Sequence, residues 1–412
     1  MAAKEQCESP AAGPAILISA PGKIILHGEH AVVYGKRALA AGLNLRTYFH
    51  LRPKVRGKLQ LHLPDIDLDG AWDVNELQDK FPNLIRSDVT SPSPPDPETT
   101  ERLRLFLGLG DAETTKSLAM AAFLYLYMCI AGKNGMLPVF EVTVSSALPP
   151  GAGLGSSAAF SVCLAAGLLS MVNAVSANPT ACDNDFCWDK ADLDLINKWA
   201  YEGERIIHGN PSGIDNSVSV YGGAIQYRAK VITPLENVPQ LSVLLVYTKV
   251  PRSTKVLVAS VRERHDRYPK IYGPILESIE QISQECERTL EAMGRGEMDS
   301  EVAFQSLESL VDINQQLLEV IGVSHPSINN VCRSASAYDL HVKLTGAGGG
   351  GCVFAILPPY VEKEIVQTLQ KDLHLHNYDS WITTLGAKGV TLHQSIKNLQ
   401  RDGYFLPPSL LQ

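Results

Sequence analysis

A glycine-rich run in the middle of the chain is the first segment whose residues could do chemistry, Gly151-Ala152-Gly153-Leu154-Gly155-Ser156-Ser157. It follows an alternating stretch typical of a strand, Val139 to Ser146, and precedes an apolar stretch typical of a helix. Glycines in this context let successive backbone N–H groups face an anion, and the helix N-terminus adds its positive end. We therefore predict a phosphate-binding loop, although a lone glycine run is more often a tight turn. The run lacks the Lys-Ser/Thr ending of a Walker A loop, and Ser156 stands where a dinucleotide fingerprint needs glycine.

A metal site is indicated next to this loop by two hydroxyls and one carboxylate. Ser156 and Ser157 open the predicted helix, where a hydroxyl either caps the helix or ligates a phosphate-bound Mg²⁺. Glu204 lies on a second predicted helix, Lys190 to His208, within the apolar stripe that should face the interior. An unpaired buried carboxylate costs several kcal/mol, so Glu204 should pair with a cationic side chain, raise its pKa or bind a cation.

Asp215 and Lys23 are the candidates for proton transfer and for charge stabilisation. Asp215 follows a polar, turn-forming segment and could accept the proton of a substrate hydroxyl during phosphoryl transfer. Lys23 follows the first predicted strand, Ala15 to Ser19, through Pro21-Gly22, and could offset charge on a γ-phosphate. Taken alone, a residue of either kind is more often an ordinary surface residue.

A second glycine run, from Leu344 to Cys352, matches the pattern G-x-G-x-x-G at Gly346, Gly348 and Gly351. The residues after it, Val353 to Leu357, predict a strand, whereas a dinucleotide site requires a helix there. We interpret the run as a strand-to-strand loop that approaches the ligand closely.

The elements that must position these residues are of mixed α and β type. Further strands are predicted at Leu43 to Leu51, Leu59 to Leu63, Gly222 to Arg228, Leu241 to Thr248 and Val342 to Leu344, and further helices at Thr114 to Ile130 and within Thr254 to Glu319. The segment Ser91 to Pro97 is rich in proline and predicts an exposed loop, either a lid or a tolerated insertion. The pattern changes near residue 235, so we predict two domains, 1–235 and 236–412.

Composition limits the function classes. The chain has 412 residues, 45% of them hydrophobic, which favours two domains with a cleft between them as the default site. Its net charge of −8 argues against a general nucleic-acid binder. The apolar stretch Ala158 to Val175 favours a buried helix over a membrane span, and Glu5 and Glu8 argue against a signal peptide, so we expect a soluble protein.

The cysteines are scattered, several of them in apolar stretches, and predict reduced thiols rather than a disulfide framework. Only Cys182 and Cys187 lie close together in sequence, and we interpret them as part of a solvent-facing loop rather than as a metal or redox pair.

Three segments taken together resemble the motifs of the GHMP superfamily, which comprises galactokinase, homoserine kinase, mevalonate kinase and phosphomevalonate kinase. They are Pro21-Gly22-Lys23 to Gly28-Glu29-His30, Pro149 to Ala159, and Lys343 to Cys352. With Asn210 to Asp215 and Thr248 to Arg252, they resemble the animal-type mevalonate kinase family along nearly the whole chain. The resemblance implies an α/β (α+β) fold with a ribosomal-protein-S5-domain-2-like N-terminal domain, a ferredoxin-like C-terminal domain, and both substrates in the cleft between them.

The resemblance also implies roles for individual residues. Asp215 would be the catalytic base with Lys23 as its charge partner, and Ser157 and Glu204 would be Mg²⁺ ligands. ATP would contact Lys23, Ser146, Gly151, Ala152, Gly153, Leu154, Gly155, Ser156 and Ser157, and the acceptor alcohol would contact Glu29, His30, Ser212 and Thr254. The family has Asn where this chain has Asp65, and often Tyr where it has Phe160, so no nucleotide contact is implied at 65 and no hydroxyl contact at 160.

The reaction implied by the resemblance is transfer of a phosphoryl group from ATP to mevalonate, giving ADP and 5-phosphomevalonate for isoprenoid and sterol synthesis. It further implies a homodimer and competition of isoprenyl diphosphates with ATP. A galactokinase-like activity is disfavoured because Ala31-Val32, not Thr-Asp, follows Gly28-Glu29-His30. A catalytically silent ligand sensor is disfavoured because Lys23, Ser157, Glu204 and Asp215 are all present.

The predicted location is the cytoplasm. A pattern that resembles a peroxisomal targeting nonapeptide runs from Lys23-Ile24 to His30-Ala31, but it occupies the predicted active site, and we interpret it as a coincidence. The last residues, Leu410-Leu411-Gln412, are not a Ser-Lys-Leu signal.

Overall fold

A computed structural model describes residues 13–85, 88–108, 114–132, 136–179 and 185–411. Glu5, Glu8 and Cys182, which entered the predictions above, lie outside the described residues. In the described part of the chain the strands form one 14-stranded sheet, with helices packed against it. None of the helices there combines the length and apolar character that crossing a bilayer requires.

The strands are β1 (Ile16–His27), β2 (Ala38–Pro53), β3 (Leu59–Leu63), β4 (Leu68–Trp72), β5 (Phe140–Ser146), β6 (Asn178–Pro179), β7 (Asp185–Cys187), β8 (Ala224–Arg228), β9 (Val231–Pro234), β10 (Leu241–Tyr247), β11 (Val342–Leu344), β12 (Cys352–Ile356), β13 (Asp379–Leu385) and β14 (Thr391–His393). The helices are α1 (Val74–Lys80), α2 (Pro97–Phe106), α3 (Thr115–Ala131), α4 (Ser156–Met171), α5 (Lys190–His208), α6 (Ile214–Tyr221), α7 (Thr254–Arg267), α8 (Pro269–Gly294), α9 (Ser300–Val320), α10 (Pro326–Ser336), α11 (Lys363–Leu375) and α12 (Ile396–Arg401).

The first half of the chain is organised around β1 and β2, which pair antiparallel along most of their length. The predicted end of the first strand at Ser19 is wrong, because β1 continues to His27. The ladder shifts register between Pro21 and Gly22, and a local irregularity of this kind accommodates a residue that has no N–H to donate. Lys23 therefore lies inside a strand rather than in a loop after it, and its backbone position is fixed.

The helices of the first half pack closely behind this sheet. Helix α4 starts at Ser156 and α5 spans Lys190–His208, as predicted. Both α3 and α4 are apolar and buried on nearly all sides. Close approach of α4 to β2 depends on Gly167, where a Cβ would lie 2.2 Å from the Phe49 ring. The phosphate-loop helix is thereby held against the strand that pairs with β1.

The proline-rich segment forms a loop, and α2 begins at its last proline, Pro97, with Asp96 as the N-cap. The loop is attached to the helices beside it. Tyr125 of α3 donates a hydrogen bond to Ser93 O at 2.6 Å, and Trp199 of α5 donates one to Val89 O at 2.8 Å.

In the second half of the chain, four strands lie side by side in the order β13-β10-β12-β11, and each strand is antiparallel to its neighbours. In chain order, β10 is followed by helices, the β11–β12 hairpin, α11 and β13, which is the β-α-β-β-α-β arrangement of a ferredoxin-like unit. The division near residue 235 stays a prediction, and it falls between β9 and β10. After β13 the chain returns to the first half, where β14 pairs with β1.

Candidate active site

A cleft of about 600 Å³ opens between elements of the two halves of the chain. Its walls include most of the predicted site residues: Lys23, Ser146, Gly151, Gly153, Gly155, Ser156, Ser157, Asp215 and Thr254. Residues more than two hundred positions apart in sequence therefore meet in one place, and the cleft has the size of a small-molecule site.

The glycine-rich loop joins the end of β5 to the start of α4. Gly151, Gly153 and Gly155 have φ angles of 69°, 78° and 76°, in the left-handed region that favours glycine. The side chains of Ala152 and Leu154 are buried in the core, so these two residues can offer a ligand only backbone atoms. The loop thus presents backbone to the cleft and ends at a helix N-terminus, as an anion-binding loop requires.

Lys23 and Asp215 form an ion pair, with Nζ 3.2 Å from Oδ1. Backbone contacts hold both partners, since Lys23 N donates to Leu154 O at 2.8 Å and Asp215 lies in the first turn of α6. The Lys23 side chain is 9% exposed and the Asp215 side chain 36% exposed, so the carboxylate remains accessible from the cleft. A base with a fixed cationic neighbour therefore lies beside the glycine-rich loop.

Glu204 is buried, as the helical stripe predicts. The hydroxyls of Ser157 and Ser161 each lie 3.5 Å from a carboxylate oxygen of Glu204, and His208 Nε2 lies 3.0 Å from Ser157 Oγ. Burial raises the pKa of Glu204 to about 8, and the nearby carboxylate of Asp215 contributes a smaller part of the increase. Burial of the carboxylate therefore favours a raised pKa, and a cation beside it would remove the same cost.

The same residues fit a divalent cation. Among the described residues, no group of three or more His, Cys, Asp or Glu side chains is arranged to hold a metal. Mg²⁺ in phosphoryl-transfer enzymes needs only one or two protein oxygens, because nucleotide phosphates and water supply the rest. Ser157 Oγ and the Glu204 carboxylate, adjacent to the glycine-rich loop, form such a donor set, and a cation would offset the buried negative charge.

The residues predicted to contact the acceptor are not all on the cleft wall. Thr254 lines the cleft. His30 is buried beside it, and its Nε2 donates to the carbonyl oxygen of Ala347, a wall residue, at 2.8 Å. Because a carbonyl only accepts, His30 Nδ1 is left as a bare acceptor, and it has no partner in the structure. Burial also lowers the pKa of His30, which favours this neutral form.

Glu29 and Ser212 lie elsewhere. Glu29 is fully buried and forms an ion pair with Lys343 of β11, with Asn314 of α9 donating a second hydrogen bond at 3.2 Å. Ser212 is exposed, and its hydroxyl accepts from Ile214 N at 3.3 Å. The structure therefore does not bring these two side chains to the cleft wall.

The cleft wall also includes two titratable residues to which the sequence analysis assigned no role, Arg252 and His208. Arg252 lies between the two glycine-rich runs and donates to Ala152 O at 3.0 Å and to Thr345 O at 3.2 Å. A Cβ on Gly153 would fall 1.6 Å from its guanidinium, so the glycine leaves room for the arginine. The spacing of His208 four residues after Glu204 could have indicated its position, whereas Arg252 contacts residues about a hundred positions away and has no comparable local signal.

Part of the cleft lining is apolar. This part includes Leu63, Ile66, Leu118, Val144, Phe160 and Ile207. Asp65 and Ser146 also line the cleft, and Ser146 N donates to Asp65 Oδ2 at 2.6 Å. The two positions that depart from the family pattern, 65 and 160, thus both line the cleft.

Comparisons with known proteins agree with this geometry. The family model for the GHMP kinases N-terminal domain matches residues 117–223, and that for the GHMP kinases C-terminal region matches residues 300–374. The chain is 49% identical over 383 residues to the mevalonate kinase of Homo sapiens, covering 92% of this chain and 95% of that protein. It is 47% identical over 383 residues to that of Mus musculus, covering 92% and 96%.

Solved structures show the same fold at lower identity. The Methanococcus jannaschii mevalonate kinase superposes with a TM-score of 0.66 at 22% identity, covering 90% of this chain and 98% of that one. The L. major mevalonate kinase in complex with R-mevalonate superposes with a TM-score of 0.62 at 21% identity, covering 92% and 98%. The two-domain mixed α/β fold predicted from the sequence is confirmed.

Proposed function

The chain belongs to the mevalonate kinase family of the GHMP kinases, and from that premise we propose that its cleft transfers the γ-phosphoryl group of ATP to the 5-hydroxyl of (R)-mevalonate. The products are ADP and 5-phosphomevalonate, an intermediate of isoprenoid and sterol synthesis. The observation that carries the proposal is the convergence of the Lys23–Asp215 ion pair with Ser157 and Glu204 beside the glycine-rich loop.

Asp215 is the proposed base. Its carboxylate accepts the proton of the substrate hydroxyl while that oxygen forms a bond to the γ-phosphorus and the bond to the β,γ-bridging oxygen breaks. Lys23, 3.2 Å from Asp215, orients the carboxylate and places a positive charge next to the transferring group. The backbone N–H groups of the loop and the N-terminus of α4 bind the phosphates that remain on the nucleotide.

Ser157 and Glu204 are the proposed ligands of Mg²⁺. When bound, the ion neutralises charge on the β- and γ-phosphates. The contribution of the chain itself is to hold the Ser157 hydroxyl and the Glu204 carboxylate next to each other, through the packing of α4 on α5. His208, one turn after Glu204 on α5, also restrains the Ser157 hydroxyl, with its Nε2 3.0 Å away.

At the acceptor end, Arg252 and Lys23 line the cleft and provide positive charge toward a carboxylate-bearing alcohol. His30 acts from behind the wall, where its Nε2 holds the carbonyl oxygen of Ala347. Thr254 adds a hydroxyl at the start of α7. Glu29 contributes indirectly, by holding the loop that also carries His30. Ser212 contributes indirectly, by stabilising the turn that leads to Asp215. These roles support an acceptor that carries both a hydroxyl and a carboxylate.

The remaining parts of the proposal rest on the family resemblance. The protein acts in the cytoplasm as a homodimer, and isoprenyl diphosphates compete with ATP for the apolar part of the cleft. The apolar lining named above supports the last point, since a prenyl chain and a nucleobase can both be buried there.

The proposal is tested by measuring ADP release with mevalonate, galactose, homoserine and phosphomevalonate in parallel, each with ATP and MgCl₂. We expect turnover with mevalonate and none above the no-acceptor background with the other alcohols. Preference for galactose, homoserine or phosphomevalonate would replace the proposed substrate with another of the same superfamily. Absence of turnover with all four, combined with measurable ATP binding, would instead favour a ligand sensor.

A further inference from the structure

The segment Tyr404–Leu411 crosses the outside of the first half of the molecule and is anchored there by buried side chains. Leu410 packs with Leu17 and Tyr48 in a small apolar cluster. The Tyr48 hydroxyl donates to Phe405 O at 3.0 Å, and the Tyr404 hydroxyl donates to Asp185 Oδ2 at 2.8 Å. These contacts fix the segment against β1, β2 and β7, and we refer to it as the 404–411 strap.

The strap reaches the candidate nucleotide site through one polar contact. Ser409 donates its hydroxyl to Asp65 Oδ1 at 2.8 Å, and Asp65 Oδ2 accepts from Ser146 N at 2.6 Å. Asp65 is thus held between the strap and the end of β5, at a sequence separation of 344 residues from Ser409. Both Asp65 and Ser146 line the cleft, together with the apolar residues named above.

From Ser146 the contacts continue into the glycine-rich loop. Its hydroxyl shares a hydrogen bond with Thr47 Oγ1 at 2.9 Å and accepts from Leu148 N at 3.2 Å. Leu148 immediately precedes Pro149, where the loop begins. The position of Ser146 therefore determines where β5 ends and how the loop starts.

We propose that Ser409 and Asp65 are positioning residues for the nucleotide, and that the 404–411 strap holds the β3–β4 connection and the end of β5 at the spacing that ATP requires. Asp65 suits this role because a carboxylate has two acceptor oxygens, so it accepts from Ser409 and Ser146 at the same time. An amide has only one acceptor oxygen, and could satisfy both donors only by sharing it or by reversing one hydrogen bond.

The proposal rests on the assignment of the cleft as an ATP site. It predicts a selective effect, because the strap contacts Asp65 beside the end of β5, whereas the proposed base Asp215 and the hydroxyl of Thr254 lie on α6 and α7. The contact between Ser409 and Asp65 is also solvent-exposed, so its loss should alter nucleotide affinity more than global stability.

The first experiment compares Ser409→Ala with Ser409→Thr, which keeps the hydroxyl. For Ser409→Ala we expect the Kd for ATP, measured by displacement of a fluorescent ATP analogue, and the KM for ATP to rise about 3- to 10-fold. The kcat and the KM for mevalonate should stay within about twofold, and Ser409→Thr should restore most of the ATP affinity. The matched control is Ser278→Ala on α8, where an exposed hydroxyl donates to Pro274 O at 2.9 Å, and it should change neither constant.

A double-mutant cycle then tests whether the strap acts through Asp65. In an Asp65→Ala background, Ser409→Ala should cause no further loss of ATP affinity, because the contact is already missing. Equal losses in both backgrounds, or no loss in the wild-type background, would overturn the proposal. If the protein binds ATP with the expected dependence on Ser409 but does not phosphorylate mevalonate, the proposed function is refuted and the proposed role of the strap is retained. If the protein does not bind ATP, both are refuted.

Discussion

The carboxylates of Asp215 and Glu204 lie on neighbouring helices but in different surroundings. Asp215 faces the cleft with a lysine as its partner, whereas Glu204 is 4% exposed and has hydroxyls and a histidine around it. The first arrangement pairs a carboxylate with a cation and leaves it accessible from the cleft, and the second favours a proton or a metal ion on the carboxylate. Two acids of similar intrinsic strength can therefore take separate roles in one cleft.

Replacing Asp215 by Asn should separate catalysis from nucleotide binding. The amide keeps the shape of the side chain but cannot accept a proton, so we expect kcat to fall about 10²- to 10⁴-fold. The Kd for ATP should change by less than about threefold, because the carboxylate acts on the acceptor side. The control is Asp79→Asn on the exposed face of α1, and a kcat near the wild-type value in Asp215→Asn would contradict the assigned role.

The raised pKa of Glu204 predicts a specific dependence of stability on pH. The folded value of about 8 lies above the ordinary value of 4.5, so between these pH values the folded protein binds more protons than the unfolded chain. The contribution of this group to the free energy of unfolding is therefore full below pH 4.5 and is lost as pH rises toward 8. Thermal unfolding without divalent cations should show this loss in the wild type and a flatter profile in Glu204→Gln.

The same variant tests the metal site. Because Mg²⁺ needs the ionised carboxylate, the affinity of the wild type for Mg²⁺ with a non-hydrolysable ATP analogue should rise with pH up to about 8, with release of a proton. Titration calorimetry in two buffers of different ionisation enthalpy measures that proton. An identical pH profile and proton release in Glu204→Gln would exclude Glu204 as a ligand.

At the scale of elements, strongly patterned segments were predicted well. The predicted bounds of β3 and α5 agree with the structure. The strict alternation in β3 is compatible only with a strand, and the wide apolar stripe of α5 only with a helix. The end of β1 was predicted wrongly, because Pro21-Gly22 is ordinarily a strand terminator and the register shift that accommodates it depends on the partner strand. Local patterns therefore identify an element better than they identify where it ends.

The candidate site was only partly predictable from sequence for a related reason. The loop, Ser157 and Glu204 lie within a run of some fifty residues and share local patterns that indicate a phosphate and metal site. Glu29 lies 314 residues from Lys343, and no periodicity in either segment indicates that they form a buried ion pair. Contacts of this range are determined by how the halves of the molecule pack, which single-sequence patterns do not encode.

Two helical glycines provide a test of how the elements pack. Gly167 on α4 faces Phe49 so closely that a Cβ would lie 2.2 Å from the ring. A Cβ on Gly273 of α8 would meet no atom within 4 Å apart from its chain neighbours and the backbone of its own helix. We expect Gly167→Ala to lower the free energy of unfolding by about 1–3 kcal/mol through overpacking. Gly273→Ala should change it by less than about 1 kcal/mol, because the gain in helix propensity is offset by the Pro274 ring, which disfavours a Cβ on the preceding helical residue. Urea denaturation distinguishes the two, and equal effects would contradict the described packing of α4 on β2.

At the scale of the whole molecule, the two halves are joined across the sheet and through buried charge. Strand β13 pairs with β2 at Leu385 and Leu43. Glu29, next to the end of β1, forms its ion pair with Lys343 of β11, and neither side chain is exposed. Burial raises the pKa of Glu29 and lowers that of Lys343, so the charge of each depends on the other. The ion pair therefore connects the loop that carries His30 to the strand before the second glycine-rich run.

Removing one partner of this pair should destabilise the whole protein. Lys343→Met leaves the Glu29 carboxylate buried without a cation, and we expect the free energy of unfolding to fall by about 3–5 kcal/mol. The double variant Glu29→Gln with Lys343→Met should recover part of the loss. The control is Lys80→Met, which breaks an exposed ion pair with Glu76 and should cost less than about 1 kcal/mol. A similar, small effect for both lysines in urea denaturation would show that the buried pair does not hold the halves together.

The central claim is that this cleft moves a phosphoryl group from ATP to the primary hydroxyl of mevalonate, and ³¹P NMR of the reaction mixture tests it most directly. With protein, ATP, MgCl₂ and (R)-mevalonate, we predict loss of the γ-phosphate signal, growth of the ADP signals, and one new phosphomonoester signal coupled to the two protons on C5. The Asp215→Asn protein should leave the ATP spectrum nearly unchanged over the same period. Release of inorganic phosphate without a phosphomonoester, or an unchanged spectrum with the wild-type protein, would contradict the account.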